Sequence, residues 1–340
     1  MKFKHICLLL ALAASLAAVS CKKEEEEELN DYLYGSVYFT VPQFVRAGDH
    51  VTLSPTGVRR PDYGTLGYAW AVTPTSQIDT SRFEKDPATK KADWEYVVPD
   101  TLITLQIKCT AFADGYYTSS CTQETTVVDP DNSVRGLDFS SASGVFTDPR
   151  DNKQYPYVSL DGRDWFARNL AWEGAGVPYD YCPAVKDVFG MYYNWNEAAA
   201  ACPDGWTLPS EADWVALATR YNPEGNFQPQ ETFEGVAGHL MGSATFNDEE
   251  EFLWEYWPTV NVTNDDHLYV LPYGYAAAGH AGKYGFTGFR EFAVFWTADE
   301  YDEDMSIYRY FFMDKPGIYA NAGSKEGFLA PVRCVRATAE

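Results

Sequence analysis

The chain has few positive charges and few histidines for its 340 residues. It carries 26 lysines and arginines against 49 aspartates and glutamates, a net charge of −23, and only five histidines. A protein that binds nucleic acid needs clustered lysines and arginines to neutralise phosphates, so nucleic acid is excluded as a partner. A strong negative charge is typical of a soluble protein whose copies repel one another.

The chain also lacks the short motifs of several enzyme classes. Its histidines at 50, 239, 267 and 280 do not show the spacing of a metal site, and no nucleophile elbow or phosphate-binding loop occurs. Carboxylates are abundant, but the sequence singles out no pair for glycosidase chemistry. We therefore predict no catalytic residue, no metal ion and no cofactor, with a hydrolase as a minor alternative.

No apolar run reaches the roughly 20 residues that a membrane-spanning helix needs. The longest run, residues 6–19, follows Lys2 and Lys4 and leads to small residues before Cys21. This pattern predicts a cleaved signal peptide over residues 1–20, with a short membrane anchor as the alternative. The segment "AAVSC" resembles the lipobox of bacterial lipoproteins, which implies that Cys21 carries the lipid and attaches the chain to a membrane.

The segment "KKEEEEELND" after Cys21 has charge but nothing to bury, which predicts a disordered tether over residues 21–30. A lysine followed by acidic residues after the lipidated cysteine resembles the surface-export signal of Bacteroidota lipoproteins. The resemblance implies a lipid-anchored protein of the outer membrane that faces the cell exterior. A simple solvated spacer is the alternative.

Residues 31–132 show short, alternating apolar runs separated by turn residues, which predicts an all-β sandwich. The order of "VTLSP", "YAWAV" and "ITLQIKCTAFADGYYTSSC" resembles the immunoglobulin-like PKD-type modules of bacterial surface proteins, with Trp70 as the core tryptophan. A hairpin is expected to turn at Asp114-Gly115, and Cys109 and Cys121 flank that turn. They can form a disulfide if they face each other, and two buried free thiols are the alternative. Residues 133–143 are predicted to be a linker.

Residues 144–337 differ from the all-β region before them, since their sequence pattern predicts both helices and strands, an α+β domain. "VFTDPRDNKQYPYVSLDGRDWFARNLAW" predicts two strands around a turn at Asp161-Gly162, and "NWNEAAAACPDGW" predicts a short helix that ends at Pro203. In "LPSEADWVALATRY", Ser210 and Asp213 have capping-box spacing ahead of an apolar face that includes Trp214.

This second half resembles the Fibrobacter succinogenes major paralogous domain, whose members generally lack an assigned activity. The resemblance rests on four segments that occur in family order: "FTDPRDNKQYPYVSLDGRDWFARNLAW", "FGMYYNWNEAAAACPDGWTLPSEADW", "FWTADEYDEDMSIYRYFFM" and "PVRCVR". The arrangement also resembles a C-type-lectin-like fold, which implies a disulfide between Cys202 and Cys334. Cys182 is expected to be a free thiol, with competition for Cys334 as the alternative.

Two further features resemble functional sites without matching them. "LPSEADW" is similar to a helix of the formylglycine-generating enzymes, but their chemistry needs a pair of active cysteines, and Cys182 has no second partner for that role. "ADEYDED" at residues 298–304 offers oxygen ligands for calcium but lacks an EF-hand or lectin spacing. A solvated acidic loop is the favoured interpretation.

The long loop region offers aromatic side chains that suit the apolar faces of sugar rings. The alternative is that these side chains form the core of a glycine-rich domain. The candidate ligand-binding residues are Trp254, Tyr256, Trp257, Tyr273, Tyr275 and Tyr284.

Together these features predict a non-catalytic surface lipoprotein in which a β-sandwich raises a lectin-like head that binds a glycan or a surface protein. A structural subunit of a pilus or envelope assembly is the second hypothesis, and an enzyme is the third. Affinity for a glycan favours the first hypothesis, and co-purification in a polymer favours the second.

Overall fold

The computed structural model describes residues 30–74, 80–84, 92–247, 251–254 and 260–338. The predicted signal peptide, Cys21 and residues 21–29 of the tether lie outside these ranges. Strands account for 42% of the structure and helices for 12%, so the chain is mostly β. In the described ranges, no helix is long and apolar enough to cross a membrane.

The N-terminal region is built from strands that share one core. Its strands are β1 (Tyr34–Tyr38), β2 (Phe44–Arg46), β3 (His50–Leu53), β4 (Thr56–Arg59), β5 (Gly67–Thr73), β6 (Thr80–Glu84), β7 (Trp94–Val97), β8 (Thr104–Phe112) and β9 (Ser119–Val128). They form a five-stranded sheet in the order β2-β9-β8-β5-β6 and two pairs, β1-β4 and β3-β7.

Trp70 lies in the core of this region, as predicted. Its side chain is buried, and its ring lies 4.9 Å from that of Phe39 and 5.4 Å from that of Trp94. Aromatic side chains bury the largest apolar areas, so the sheet and the β3-β7 pair are held together mainly around this ring.

The predicted Cys109–Cys121 disulfide is not formed. The β8-β9 hairpin turns near Gly115, which has a φ of +78°, and it places Cys109 directly opposite Cys121 in the antiparallel register. Both are nevertheless free thiols. Burial, together with the nearby Cys121, raises the pKa of the Cys109 thiol to about 12.

The C-terminal region, called the head below, contains the remaining strands and the helices. Its helices are α1 (Lys186–Phe189), α2 (Trp195–Ala201), α3 (Glu211–Tyr221) and α4 (Ala237–Leu240), with 3₁₀ turns at Tyr179–Tyr181, Pro183–Val185 and His280–Gly282. Its strands are β10 (Val134–Arg135), β11 (Gly144–Thr147), β12 (Gln154–Leu160), β13 (Arg163–Phe166), β14 (Val177–Pro178), β15 (Met191–Tyr192), β16 (Thr245–Phe246), β17 (Tyr273–Ala278), β18 (Tyr284–Phe289), β19 (Phe292–Glu300), β20 (Met305–Phe312), β21 (Tyr319–Ser324), β22 (Phe328–Leu329) and β23 (Val335–Ala337).

Two sheets organise the head. The sheet β11-β12-β13-β23 pairs the last strand with β13, so both ends of the head lie in one sheet. The larger sheet has the order β18-β17-β19-β20-β21, with β22 added to β17. The hairpin β12-β13 turns at Asp161 and Gly162, as predicted, with both residues at positive φ.

The predicted linker is partly ordered against the head. β10 pairs with β16, and Asn247 donates a hydrogen bond to the Val127 carbonyl and accepts one from the Ser133 hydroxyl. Phe44 of the N-terminal region packs its ring 5.5 Å from that of Phe189 in the head. The two regions therefore share an apolar core rather than being joined by a free segment.

Helix α3 begins where the sequence predicts. The Ser210 hydroxyl accepts a hydrogen bond from the Asp213 amide, and the Asp213 carboxylate accepts one from the Ser210 amide. Trp214 is buried beside Trp165, with ring centroids 5.2 Å apart. The capping box satisfies amides that a helix start leaves without partners, and the apolar face attaches the helix to the sheet.

The change Ser210→Ala is expected to lower the free energy of unfolding by about 1 kcal/mol, because the cap hydrogen bond is lost. Urea unfolding measures this loss. Thr219→Ala on the exposed face of the same helix is the control, since alanine is at least as good a helix former. Equal midpoints for the Ser210 variant and the wild type would refute the capping role.

Candidate functional site

Two of the predicted ligand-binding aromatics belong to the core instead. The Trp254 side chain is 1% exposed, and its indole N–H donates to the Val270 carbonyl at 2.9 Å. Tyr273 is 5% exposed, and its ring stacks on Phe189. Because the fold covers both rings, neither can lie flat against a ligand in the surface loops, as the candidate assignment required, and the two residues are corrected to buried positions.

The other predicted aromatics divide between the surface and the undescribed residues. Tyr256 and Trp257 lie outside the described residues. Tyr284 is half-buried, and its hydroxyl donates to the Glu326 carbonyl at 2.8 Å. Tyr275 is half-buried on β17 and has an aromatic neighbour in Phe292, with centroids 5.8 Å apart. Among the predicted aromatic residues, Tyr275 is therefore the one that belongs to a group of aromatic side chains at the surface.

An aromatic surface forms where Tyr275 meets β19, β20 and β21. Along β20, the half-buried Tyr308, Tyr310 and Phe312 alternate with buried residues such as Arg309 and Phe311. Successive strand residues face opposite sides of a sheet, so the half-buried rings share the outer face. We call the group the aromatic strip, and its members are Tyr275, Phe292, Tyr308, Tyr310 and Tyr319.

The rings of the aromatic strip form a continuous row. Centroids lie 6.3 Å apart for Phe292 and Tyr310, 6.0 Å for Tyr308 and Tyr310, and 5.2 Å for the stacked pair of Tyr310 and Tyr319. Phe328 stacks against both Tyr275 and Tyr308. Each ring of the strip packs against a neighbouring ring, so the strip offers a surface with little side-chain entropy left to lose on binding.

Two hydroxyls of the strip, those of Tyr308 and Tyr319, remain protonated at physiological pH. Burial, together with the nearby Tyr310 and Tyr275, raises the pKa of Tyr308 to about 12, although a hydrogen bond with Asn321 opposes the shift. Burial also raises the pKa of Tyr319. Neutral phenols can both donate and accept hydrogen bonds. The strip thus combines apolar rings with polar tips, as sugar-binding and protein-binding surfaces do.

Tyr308, Tyr310 and Tyr319 were not among the candidate residues, because the pattern of "SIYRYFFM" by itself predicts only a strand. The signal that could have found two of them is the alternation of tyrosines at positions 308 and 310 around Arg309. Tyr319 joins them only through the register, in which it lies opposite Tyr310. Sequence spacing alone does not predict that register.

The acidic loop after β19 encloses a lysine. The Lys325 ammonium group lies 2.6 Å from the Glu300 carboxylate and 2.9 Å from each of the carbonyl oxygens of Asp302 and Glu303. These oxygens are the type of ligand that calcium would need, and the ammonium group occupies their centre. Within the described ranges, no group of three or more acidic, histidine or cysteine side chains is arranged to hold a metal ion.

A second aromatic group lies on the N-terminal region, at the end of β9 remote from the head. Tyr63 is 81% and Tyr32 is 74% exposed, and Tyr32 lies 4.9 Å from the ring of Tyr117. The Arg59 guanidinium lies 4.9 Å from the ring of Tyr34 and 5.0 Å from that of Tyr63. We call these five residues the tyrosine patch. Exposed tyrosines and arginines in one group are typical of protein contact sites.

The disulfide implied by the resemblance is present. Cys202 follows α2 and is bonded to Cys334, which precedes β23, over a sequence separation of 132 residues. Cys182 is a buried free thiol, as predicted. The cysteine in "ACPDGW" is therefore a structural link between the first long helix of the head and its last strand.

Comparison with known proteins gives one match. The sequence model of the Fibrobacter succinogenes major domain matches residues 158–336, which is more than half of the chain. No curated protein matches the chain. The matched range includes both bonded cysteines, helix α3 and every residue of the aromatic strip.

Proposed function

This chain belongs to the Fibrobacter succinogenes major domain family, and from that premise we propose that it is a non-catalytic surface lipoprotein whose head binds a glycan or a protein. The observation that carries the proposal is the aromatic strip, a row of five neighbouring rings that the larger sheet leaves half-buried. Rows of tyrosines with neutral hydroxyls suit ligands that combine apolar and hydrogen-bonding groups.

We further propose that the head has a C-type-lectin-like fold and the N-terminal region an immunoglobulin-like one. The pairing of β13 with β23 and the link between Cys202 and Cys334 support the first assignment. The five-stranded sheet around Trp70 supports the second. A lipid on Cys21, at the outer membrane, would attach the chain on the side of the N-terminal region, with the head farther away.

A glycan-array screen of the chain from Leu29 onward, which keeps every described residue, tests this function. We expect binding that falls at least about tenfold in the variant with Tyr310→Ala and Tyr319→Ala, since central aromatic residues dominate binding energy. Tyr301→Ala is the matched control, because Tyr301 is a single tyrosine, 60% exposed, outside the strip. A folded chain that binds no glycan, or that binds equally well without the two strip tyrosines, would overturn the glycan assignment.

The tyrosine patch favours a second candidate function, that of an assembly subunit. A surface in which Arg59 lies between two tyrosine rings resembles the hot spots of protein interfaces. In this role the N-terminal region would contact a neighbouring subunit, and the chain would co-purify with a polymer. Loss of co-purification in a variant with Tyr32→Ser and Tyr63→Ser would support the assembly role, and unchanged co-purification would exclude the patch as the contact.

A further inference from the structure

A pocket of about 180 Å³ lies in the head beside residues 130–137, and no member of the aromatic strip lines it. Its lining comes from the segment after β13, from the residues before β23, and from β12 and β17. The volume corresponds to roughly six water molecules, which is enough for a small polar group. The lining residues used below are Tyr155, Arg168, Asn169, Tyr273 and Arg333.

The pocket contains a buried arginine that hydrogen-bonds only to neutral oxygens. Arg333 is 3% exposed, and its Nε donates to Asn169 Oδ1 at 2.7 Å. Its Nη1 donates to the carbonyls of Phe166 and Leu268, and its Nη2 donates to that of Tyr269. A guanidinium has five N–H donors, so one Nη2 hydrogen has no acceptor among the described residues.

The other buried arginine of the head, Arg309, has a carboxylate as its partner. Arg309 forms two hydrogen bonds with the Glu211 carboxylate and a third with the Glu231 carbonyl. Burying a charge is costly unless an opposite charge compensates it. The fold supplies that compensation to Arg309, and no carboxylate in the described ranges supplies it to Arg333.

Two tyrosine hydroxyls add donors to the same pocket. Tyr155 accepts a hydrogen bond from the Ala171 amide at 3.1 Å, which leaves its own hydrogen available. The Tyr273 hydroxyl forms no hydrogen bond within the described part of the chain, while the Tyr273 carbonyl accepts one from Tyr192. Burial raises the pKa of both hydroxyls, so both remain donors.

Among the side chains that line the pocket, three are positively charged and two are negatively charged. Lys153 is paired with Asp187, with the ammonium and carboxylate atoms 2.8 Å apart. Asp131 is exposed on the lining, and it is opposed by two arginines, Arg168 and Arg333. Burial and the nearby Arg168 lower the pKa of Arg333 to about 9, which is the shift expected of a cation without a counter-charge.

We propose that this pocket binds the oxyanion of a ligand, a carboxylate, sulfate or phosphate, which supplies the missing counter-charge to Arg333. The free Nη2 hydrogen of Arg333 and the hydroxyls of Tyr155 and Tyr273 donate to its oxygens. The exposed Arg168 contributes a second positive charge. A sugar acid and a free inorganic anion share this chemistry, and the experiment separates them.

The test is isothermal titration of the chain from Leu29 onward with sodium sulfate, sodium phosphate, sodium glucuronate and neutral glucose at constant ionic strength. We expect one saturable site for at least one anion and none for glucose. Tyr273→Phe, which removes only a hydroxyl, and Arg168→Met are each expected to weaken binding by roughly tenfold, as for a lost charge-assisted hydrogen bond. Arg46→Met is the matched control, since Arg46 is an exposed arginine of β2 that does not line the pocket.

Each outcome decides the proposal. Binding of glucuronate alone identifies the carboxylate of a sugar acid as the ligand group, and binding of sulfate or phosphate identifies a free oxyanion. No saturable binding, or binding that both pocket variants retain, overturns the proposal. Arg333→Met should abolish binding if the variant folds; if it does not fold, the other two variants decide. The strip variants at Tyr310 and Tyr319 change no residue that lines the pocket, so failure here leaves the glycan-array result unaffected.

Discussion

Removal of the Cys202–Cys334 disulfide is expected to lower the free energy of unfolding by about 4–5 kcal/mol. On the chain-entropy account, a crosslink stabilises the native state by restricting the unfolded chain, and the effect grows with the length of the loop. Here the loop spans 132 residues and includes most of the head. Urea unfolding of the variant with Cys202→Ala and Cys334→Ala, followed by tryptophan fluorescence, measures the loss.

Cys182→Ala is the control for that experiment, because Cys182 is a buried cysteine without a bond. It should cost much less than the double change, since only the small cavity left by the sulfur contributes. The structural role of the disulfide would be contradicted if the double variant unfolded at the wild-type urea concentration, or if Cys202 were alkylated in the native protein.

The second large effect is expected from Glu211→Ala, which should cost about 3–5 kcal/mol of stability. Glu211 is 2% exposed and pairs with Arg309, which is 0% exposed. The substitution would leave the guanidinium buried without its carboxylate. It would also remove the acceptor for the Gln230 amide. Equilibrium unfolding in urea again gives the magnitude.

A double variant separates the charge effect from the packing effect. With Glu211→Leu and Arg309→Met, both charges are gone and apolar side chains of similar size remain, so most of the lost stability should return. If the double variant were as unstable as Glu211→Ala alone, the unpaired charge would not be the cause. If Glu211→Ala were as stable as the wild type, the buried pair would have no structural role.

Local features of the fold were predictable because they depend on neighbouring residues. The capping box that starts α3 and the turn at Asp161 and Gly162 use side chains and backbone angles within a few residues of one another. The Cys202–Cys334 pairing came from the family resemblance, because no local pattern connects residues 132 positions apart.

The functional surface was harder to predict because it depends on strand register. Trp254 and Tyr273 look like exposed loop aromatics in the sequence, yet the fold covers both. Tyr310 and Tyr319 come from different strands and meet only through the β20-β21 register. In the same way, the sequence placed Cys109 and Cys121 on either side of a turn, but it could not predict that the register brings them opposite each other or that both thiols remain free.

The two aromatic surfaces give the chain two distinct ways to interact. The aromatic strip lies on the family domain, and the tyrosine patch lies on the N-terminal region at the end of β9 remote from the head. Strand β9 has ten residues, so about 30 Å of strand separates its two ends. Variants in one surface should therefore leave the other intact, since distant sites act additively.

The most direct test of the proposed function is to measure the affinity of one retained ligand, glycan or protein, for three forms of the chain. These are the wild type, the variant with Tyr310→Ala and Tyr319→Ala, and the variant with Tyr32→Ser and Tyr63→Ser. If the head binds the ligand, affinity should fall only in the variant with Tyr310→Ala and Tyr319→Ala. Affinity that falls only in the variant with Tyr32→Ser and Tyr63→Ser, or in neither variant, would contradict the assignment of the aromatic strip as the binding surface.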